Sequence, residues 1–215
     1  MNAPDTYRRL DKLAHKYGTD KGSMCHDYMR TYAELLAPMR DSARHVLEVG
    51  LARRNWAGNK AKFPSLMVWR DFFGKATIHG VDRRDFPGPW PERIVIHRND
   101  QSQLIEMARL GKTLADLDVV IDDGSHIAND QFVTLLALWP RVYPGGYYVV
   151  EDLHCTRDVP AENLFKTEAE AMESGKRSVV LERLFGGDQP VEMGFGVSRE
   201  KGTNGLVWFR KGVRS

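Results

Sequence analysis

The stretch DVVIDDGSHIAND, residues 118–130, runs a short apolar segment into two aspartates, a glycine and a histidine. Further on, GGYYVVEDLH, residues 145–154, ends a second apolar run on Glu151 and Asp152. Burying charge is costly unless something pairs it. These carboxylates therefore either punctuate turns or gather around something cationic. If the two runs are neighbouring strands, about 4.8 Å apart, Asp123, Glu151 and Asp152 come within reach of one point. Carboxylates that close raise one another's pKa unless a divalent cation shares them. Oxygen donors with open positions suit Mg²⁺, which prefers octahedral geometry and keeps several waters. The two cysteines, Cys25 and Cys155, lie outside the cluster and give zinc no support there. Successive strand residues face opposite ways, so Asp123 is expected to reach the ion and Asp122 to be structural or beside a cofactor. The plainer alternative is an Asp-Gly turn at 122–124 and a helix cap at Glu151.

His126 follows three residues after Asp123. Histidine more often makes a structural hydrogen bond than catalyses, and His15, His45, His79 and His97 carry no comparable signal. The neighbours of His126 set it apart. An imidazole is well tuned to take a proton near neutral pH, and a hydroxyl beside a metal loses its proton more easily, as bound water does. The expected chemistry is removal of a substrate hydroxyl proton by His126, followed by in-line attack on a methyl sulfonium carbon. An alcohol needs such help; a thiol or an amine does not.

A second acidic group is Glu48, Asp82 and Asp100. An acid ending the second strand of a nucleotide-binding sheet commonly accepts hydrogen bonds from ribose hydroxyls. A dinucleotide fold also wants G-x-G-x-x-G after its first strand, whereas EVGLARRNWAGNK (48–60) has one early glycine and the next only at Gly58. That is a poor pyrophosphate cradle. A nucleoside without phosphates needs none, which points to S-adenosylmethionine. Turn capping is the alternative for Asp82 and Asp100.

The elements that must position these residues alternate. Candidate strands are HVLEVG (45–50), ATIHGVD (76–82), RIVIH (93–97), DVVID (118–122) and GGYYVVED (145–152). Helical spacing marks SLMVWRDFFG (65–74), SQLIEMARLG (102–111) and NDQFVTLLALWPRV (129–142). Unbroken apolar strands alternating with helices indicate a parallel sheet covered on both faces. VEMGFGVS (191–198) and GLVWFRKG (205–212) read as a closing antiparallel hairpin. The expected fold is α/β, Rossmann-like and doubly wound, with seven strands and an N-terminal helical cap over residues 1–44. Ligands of such sheets bind at the carboxyl ends of the strands, the rim to which each of the five parallel strands brings an acid.

At 215 residues one domain with a substantial core is expected. A net charge of +2, from 31 basic and 29 acidic residues, gives no electrostatic case for nucleic-acid binding. No apolar run approaches the roughly 20 residues of a membrane helix, and MNAPDTYRRLDKLAHKYG has no apolar core of a secretory signal. The cysteines form neither a CxxC pair nor a disulfide framework, which fits a reducing cytoplasm.

KYGTDKG (16–22), HDYMRTYAELLAP (26–38), VLEVG (46–50), SLMVWRDFF (65–73), GVD (80–82), NDQSQ (99–103), VVIDDGSH (119–126) and YPGGYYVVEDLH (143–154) together resemble the magnesium-dependent sugar O-methyltransferases. These are class I S-adenosylmethionine enzymes acting on deoxysugars of macrolides and related glycosides; a mycobacterial branch methylates mannosides. The resemblance spans roughly residues 10–155 and rests chiefly on IDDGSH and GGxYVVED. It implies metal ligation by Asp123, Glu151 and Asp152, with His126 as general base. It assigns Glu48, Gly50, Ser65, Asp82, Asp100 and Gln101 to the cofactor pocket, bordered by Asp122 and Asp123. KYGTDKG is expected to fold over the methionine end, with Tyr17 and Thr19 as contacts. LARRNWAGNKAKF (51–63) departs from the family's glycine-rich turn, so Arg54 or Arg53 is a candidate to hold the methionine carboxylate. Beyond Asp152 the likeness fades, and residues 153–190 with the N-terminal cap are expected to shape the acceptor pocket, since loops on a ligand rim carry specificity. Tyr147, Tyr148, Trp90 and Trp139 could stack on a sugar, although a core role suits them better, and His154 could hydrogen-bond a metal ligand. The implied partners are a small sugar or glycoside acceptor and further copies of the chain in a homo-oligomer. A catechol-like acceptor, or a methyltransferase fold that binds without catalysing, are the alternatives.

Overall fold

The apolar runs become the strands of one seven-stranded sheet in the computed structural model, which describes residues 2–51, 62–153 and 163–212. In chain order these are β1 (His45–Val49), β2 (Thr77–Asp82), β3 (Ile94–Arg98), β4 (Leu117–Asp122), β5 (Val142–Val150), β6 (Pro190–Ser198) and β7 (Thr203–Lys211). Their order across the sheet is β3-β2-β1-β4-β5-β7-β6. The first five are parallel, and β7 runs antiparallel to both β5 and β6. The direction of winding reverses between β1 and β4, which opens a crevice outside their carboxyl ends.

Both faces of the parallel strands are buried, which is why their sequences do not alternate. On one face α1 (Ala3–Tyr17), α2 (Met29–Leu36) and α3 (Pro64–Phe72) pack Leu10, Tyr32 and Trp69 against Val46, Ile78 and Val119. On the other, α4 (Leu104–Thr113), α5 (Ala128–Leu138), α6 (Leu164–Glu173) and α7 (Val179–Phe185) bring Met107, Leu135, Phe165 and Leu181 to Leu47, Val120 and Val150. Helix α1 starts at an Asn2 cap and stops at Gly18, whose left-handed φ of 76° suits a residue without Cβ. The chain released there runs across the strand tips before α2 begins.

Two details depart from the sequence expectations. Helix α5 stops at Leu138, and Trp139–Arg141 form a 3₁₀ turn, because Pro140 has no amide hydrogen to continue the helical ladder. Val142, expected in that helix, opens β5 instead. Trp139 and Tyr148 are core residues, Tyr147 packs edge-on against Trp208, and Trp90 stands partly exposed. Among the described residues, no helix is long and apolar enough to cross a membrane.

Candidate active site

Backbone contacts lock the tips of β2, β1, β4 and β5 together. Gly50 donates its amide to Val81 O (2.8 Å), Asp123 to Val49 O (2.9 Å) and Glu151 to Asp122 O (2.9 Å). Gly50 has a φ of +91°, and a Cβ there would lie 2.0 Å from the carbonyl oxygen of Asp123. Only glycine allows so close an approach.

Into the space beyond these tips reaches a residue that the sequence did not single out. Lys21, 1% exposed, belongs to the segment between α1 and α2. Its Nζ lies 2.5 Å from Asp123 Oδ2, 2.5 Å from Glu151 Oε2 and 3.4 Å from Glu48 Oε1. Burial alone would push the ammonium pKa down, but Asp123, Glu151 and Glu48 outweigh it and hold Lys21 firmly charged. The acids respond to the same balance. Burial raises Glu48 to about 7, against the pull of Lys21 and of hydrogen bonds from Ser65 and Trp69. Burial also raises Asp123 and, more strongly, Glu151, again opposed by Lys21. The second oxygen of Glu151 takes the Tyr32 hydroxyl, and Trp69 Nε1 donates to Glu48 at 3.0 Å.

Beside this buried group lies a more open one. His126 Nε2 sits 3.5 Å from Asp152 Oδ2 and 4.0 Å from Asp123 Oδ1. One donor atom from each of Asp123, His126 and Asp152 falls within 4.8 Å of the others. Tyr28, from the start of α2, donates to Asp152 Oδ1 at 2.9 Å. Burial raises the Asp152 carboxyl, yet His126, His26, Lys21 and the Tyr28 hydrogen bond together bring it below its ordinary value. His126 and Asp152 both adopt left-handed backbone, at φ 58° and 57°. Non-glycine residues rarely do so without strong surrounding contacts, and such positions concentrate at functional sites. His126 Nδ1 is buried without a hydrogen-bond partner among the described residues.

Glu48, Asp123 and Glu151 thus face the one ammonium of Lys21, and Asp152 faces His126 beside them. Carboxylate oxygens gathered in this way fit a hard divalent cation, with the His126 imidazole beside the set. Asp123 and Asp152 offer carboxylate oxygens toward His126; Glu151 is adjacent through Asp123 but has its two oxygens on Lys21 and Tyr32.

The remaining expected residues divide. Asp122 points away from Lys21, accepting from Gln101 Nε2 at 2.6 Å, and burial raises its carboxyl to about 7. Gln101 accepts in turn from the Ser125 amide at 2.9 Å, tying the β3–α4 loop to the histidine-bearing turn. Asp82 ends β2 as expected, but Arg84 grips it (Nη2 to Oδ2, 2.8 Å) and the Leu51 amide donates to it at 3.2 Å. Burial acts upward on the Asp82 carboxyl, and the Arg84 hydrogen bonds turn the net shift downward. Asp100 caps its own turn, accepting from the amide and hydroxyl of Ser102. Tyr17 gives its hydroxyl to Asp71 in α3, and Thr19 donates its amide to Ala14 O in the helix-ending turn. Ser65 is buried in the first turn of α3. Arg53, Arg54 and His154 lie outside the described residues. Beyond Lys21, the sequence analysis also passed over Tyr28 and Tyr32. Their spacing of four places them on one face of a helix, directly after the KYGTDKG segment, and that was the available signal.

No family model matches the chain. It is 36% identical over 144 residues to the 8-demethyl-8-alpha-L-rhamnosyl tetracenomycin-C 2'-O-methyltransferase of Streptomyces olivaceus, covering 67% of this chain and 37% of that protein. It is 33% identical over 147 residues to demethylmacrocin O-methyltransferase of Streptomyces fradiae, covering 67% and 36%. The chain therefore spans little more than a third of the length of these curated relatives. Among solved structures it superposes on the MycE methyltransferase of the mycinamycin pathway, in complex with Mg, S-adenosylhomocysteine and mycinamycin VI, with a TM-score of 0.73. Sequence identity there is 26%, over 95% of this chain and 55% of that one. The order β3-β2-β1-β4-β5-β7-β6, the carboxylate rim and these likenesses agree: the chain has the class I S-adenosylmethionine-dependent methyltransferase fold and is a relative of the sugar O-methyltransferases.

Proposed function

We propose that the chain is a divalent-metal-dependent O-methyltransferase that transfers the methyl group of S-adenosylmethionine to a hydroxyl of a sugar carried by a glycoside. The observation that carries this reading is the cluster of Asp123, His126 and Asp152 above the buried Lys21, at the rim where class I folds bind their ligands. The relatives named above are O-methyltransferases of a rhamnosyl tetracenomycin and of demethylmacrocin, and MycE was solved in complex with Mg, S-adenosylhomocysteine and mycinamycin VI.

Asp123 and Asp152 are the principal ligands for Mg²⁺, with Glu151 the third carboxylate of the set. A magnesium ion there supplies Lewis acidity that lowers the pKa of a sugar hydroxyl. The chain's own residues do the rest. Lys21 and Tyr32 fix Glu151, Tyr28 fixes Asp152, and both hold the rim in one arrangement before any ligand arrives. His126 Nε2 accepts the hydroxyl proton as general base. The oxygen forms a bond to the methyl carbon, the carbon–sulfur bond breaks, and its electron pair stays on sulfur. Glu48, Gly50, Ser65, Asp82, Asp100 and Gln101 border the cofactor, with Tyr17 and Thr19 on the cap side; Arg84 must share Asp82 for a ribose to be bound there. Arg54 is our candidate for the methionine carboxylate. We take residues 1–215 as one cytoplasmic catalytic domain working in a homo-oligomer, with the cap (1–44) and residues 153–190 on the acceptor side.

An acceptor panel tests this reading. Rhamnosyl tetracenomycin, a macrolide deoxysugar, a free mannoside and a catechol are incubated with the protein and labelled S-adenosylmethionine, and products are identified by mass. Methylation of a glycosidic sugar is expected. Methylation of the catechol alone would replace the sugar assignment.

A further inference from the structure

A second set of metal-type donors lies apart from the strand tips, where the segment carrying Lys21 meets the β6–β7 turn. Cys25 Sγ is 3.3 Å from Glu200 Oε2, and His26 Nδ1 is 3.6 Å from the same oxygen. One donor atom from each of Cys25, His26 and Glu200 lies within 4.8 Å of the others. A tetrahedral zinc ion with ordinary bond lengths separates its sulfur and oxygen ligands by about 3.6 Å and its nitrogen and oxygen ligands by about 3.4 Å. The observed spacings match those edges to within a few tenths of an ångström.

The surroundings hold this geometry in place. The His26 amide donates to Asp20 O (3.0 Å), the Arg199 amide to His26 O (2.9 Å) and the Cys25 amide to Gly22 O (3.1 Å). The Arg199 guanidinium reaches Ser23 O at 2.7 Å. His26 is buried and its ring stacks on Tyr28, with centroids 5.1 Å apart. Its other nitrogen, Nε2, lies 4.0 Å from Asp20 Oδ2, within ion-pair range and beyond a hydrogen bond. Ser198 Oγ, 3.2 Å from Nδ1, is a neighbour an ion would have to displace. Lys201 takes the other oxygen of Glu200, at 3.2 Å. Cys25 is partly exposed and lines a surface cavity of about 460 Å³ with Ser23, Met24, Arg199 and Glu200, which supplies an entry path.

We propose that Cys25, His26 and Glu200 form a second metal site, selective for a borderline-soft ion such as Zn²⁺ and separate from the oxygen-rich rim. Thiolate and imidazole suit zinc, whereas Mg²⁺ prefers oxygen alone. On binding, the thiol releases its proton to solvent and the sulfur donates to the metal. The bound ion fastens the Lys21 segment to the C-terminal hairpin, so the site lies beside the rim without belonging to it.

The test uses the full chain, stripped of metals and then held in excess Mg²⁺ so that the rim is occupied. Titration with Co²⁺ should produce a thiolate-to-cobalt charge-transfer absorption that saturates at one equivalent and is erased by Zn²⁺. Cys25→Ser should abolish the band, and Glu200→Gln should weaken Zn²⁺ binding about tenfold or more, the scale on which even indirect partners of a site act. Absence of the band in the unaltered protein, its survival in Cys25→Ser, or unchanged zinc affinity in Glu200→Gln would each overturn the proposal.

Discussion

Lys21→Met should destabilise the protein more than any other single substitution on its surface-crossing segment. The side chain is buried, with Nζ 2.5 Å from Asp123 and from Glu151 and 3.4 Å from Glu48. Removing one member of a buried ion pair leaves the others charged in a poorly solvating site, at about 3–5 kcal/mol. For a chain of this size each kcal/mol moves the melting temperature by about 2–4 °C. The variant should therefore melt roughly 6–20 °C lower than the parent in EDTA. Two corollaries separate this mechanism from mere loss of packing. Mg²⁺ should recover more stability in the variant than in the parent, because the charge it neutralises is larger. The variant should also gain more on mild acidification. Glu48 sits near 7 in the folded state against an ordinary 4.5, so the folded chain holds a proton that the unfolded chain releases between those values. This contribution to stability is fully present below about 4.5 and is lost as pH rises through about 7, a trend that losing Lys21 steepens. Melting followed by circular dichroism at pH 7.5 and 6, with EDTA or Mg²⁺, reads all three effects. A shift of less than about 2 °C in EDTA would refute the account of Lys21 as the counter-cation of the rim.

Other expectations follow from particular distances. Gly50→Ala should cost about 3 kcal/mol or more in urea unfolding, combining left-handed strain with a Cβ 2.0 Å from a carbonyl oxygen; a cost below 1 kcal/mol, roughly, would mean that the strand tips separate easily. His126→Ala should keep cofactor affinity, measured by calorimetry, yet lose about 10²–10⁴-fold in turnover; unchanged turnover would remove it as base. His79 stands in a row with His45 and His97, at ring-nitrogen distances of 3.3 and 3.1 Å. Burial first, then these neighbours, lower its pKa from 6.5 to about 4. The unfolded chain binds the proton that the folded one refuses, so this contribution to stability is present above 6.5 and is lost as pH falls toward 4. His79→Phe should flatten the change in urea midpoint between pH 7 and pH 5 relative to the parent, and an identical slope would contradict the assignment.

Much of the scaffold was legible because local signals decide it. The apolar runs at 45–50, 76–82, 118–122 and 145–152 could be buried only as two-faced strands, and the turn-bounded runs at 191–198 and 205–212 only as an edge hairpin. The rule that ligands bind at strand ends drew attention to Asp123 and Asp152, which the fold brings together, and the opposite orientation of Asp122 followed from alternation. What stayed hidden depends on distant partners. Lys21 meets Asp123 and Glu151 across 102 and 130 residues of chain, and no local pattern encodes that; the crowded carboxylates were expected to share a divalent ion, with no side-chain ammonium among them. The left-handed backbone at Asp152 interrupts strand alternation, so Glu151 and Asp152 both neighbour Asp123 where a regular strand would send them to opposite faces. The histidine row across β1, β2 and β3 was invisible for a similar reason, since register across a sheet, not spacing along the chain, assembles it.

The central claim is that the strand tips hold a hard cation that makes a sugar hydroxyl reactive. It is tested most directly by methyl transfer to a glycoside with the metal-free protein, before and after addition of Mg²⁺, alongside Asp152→Asn. Turnover should vanish in EDTA, return with Mg²⁺, and stay absent in the variant at any magnesium concentration. Full turnover in chelator, or in the variant, would contradict the claim.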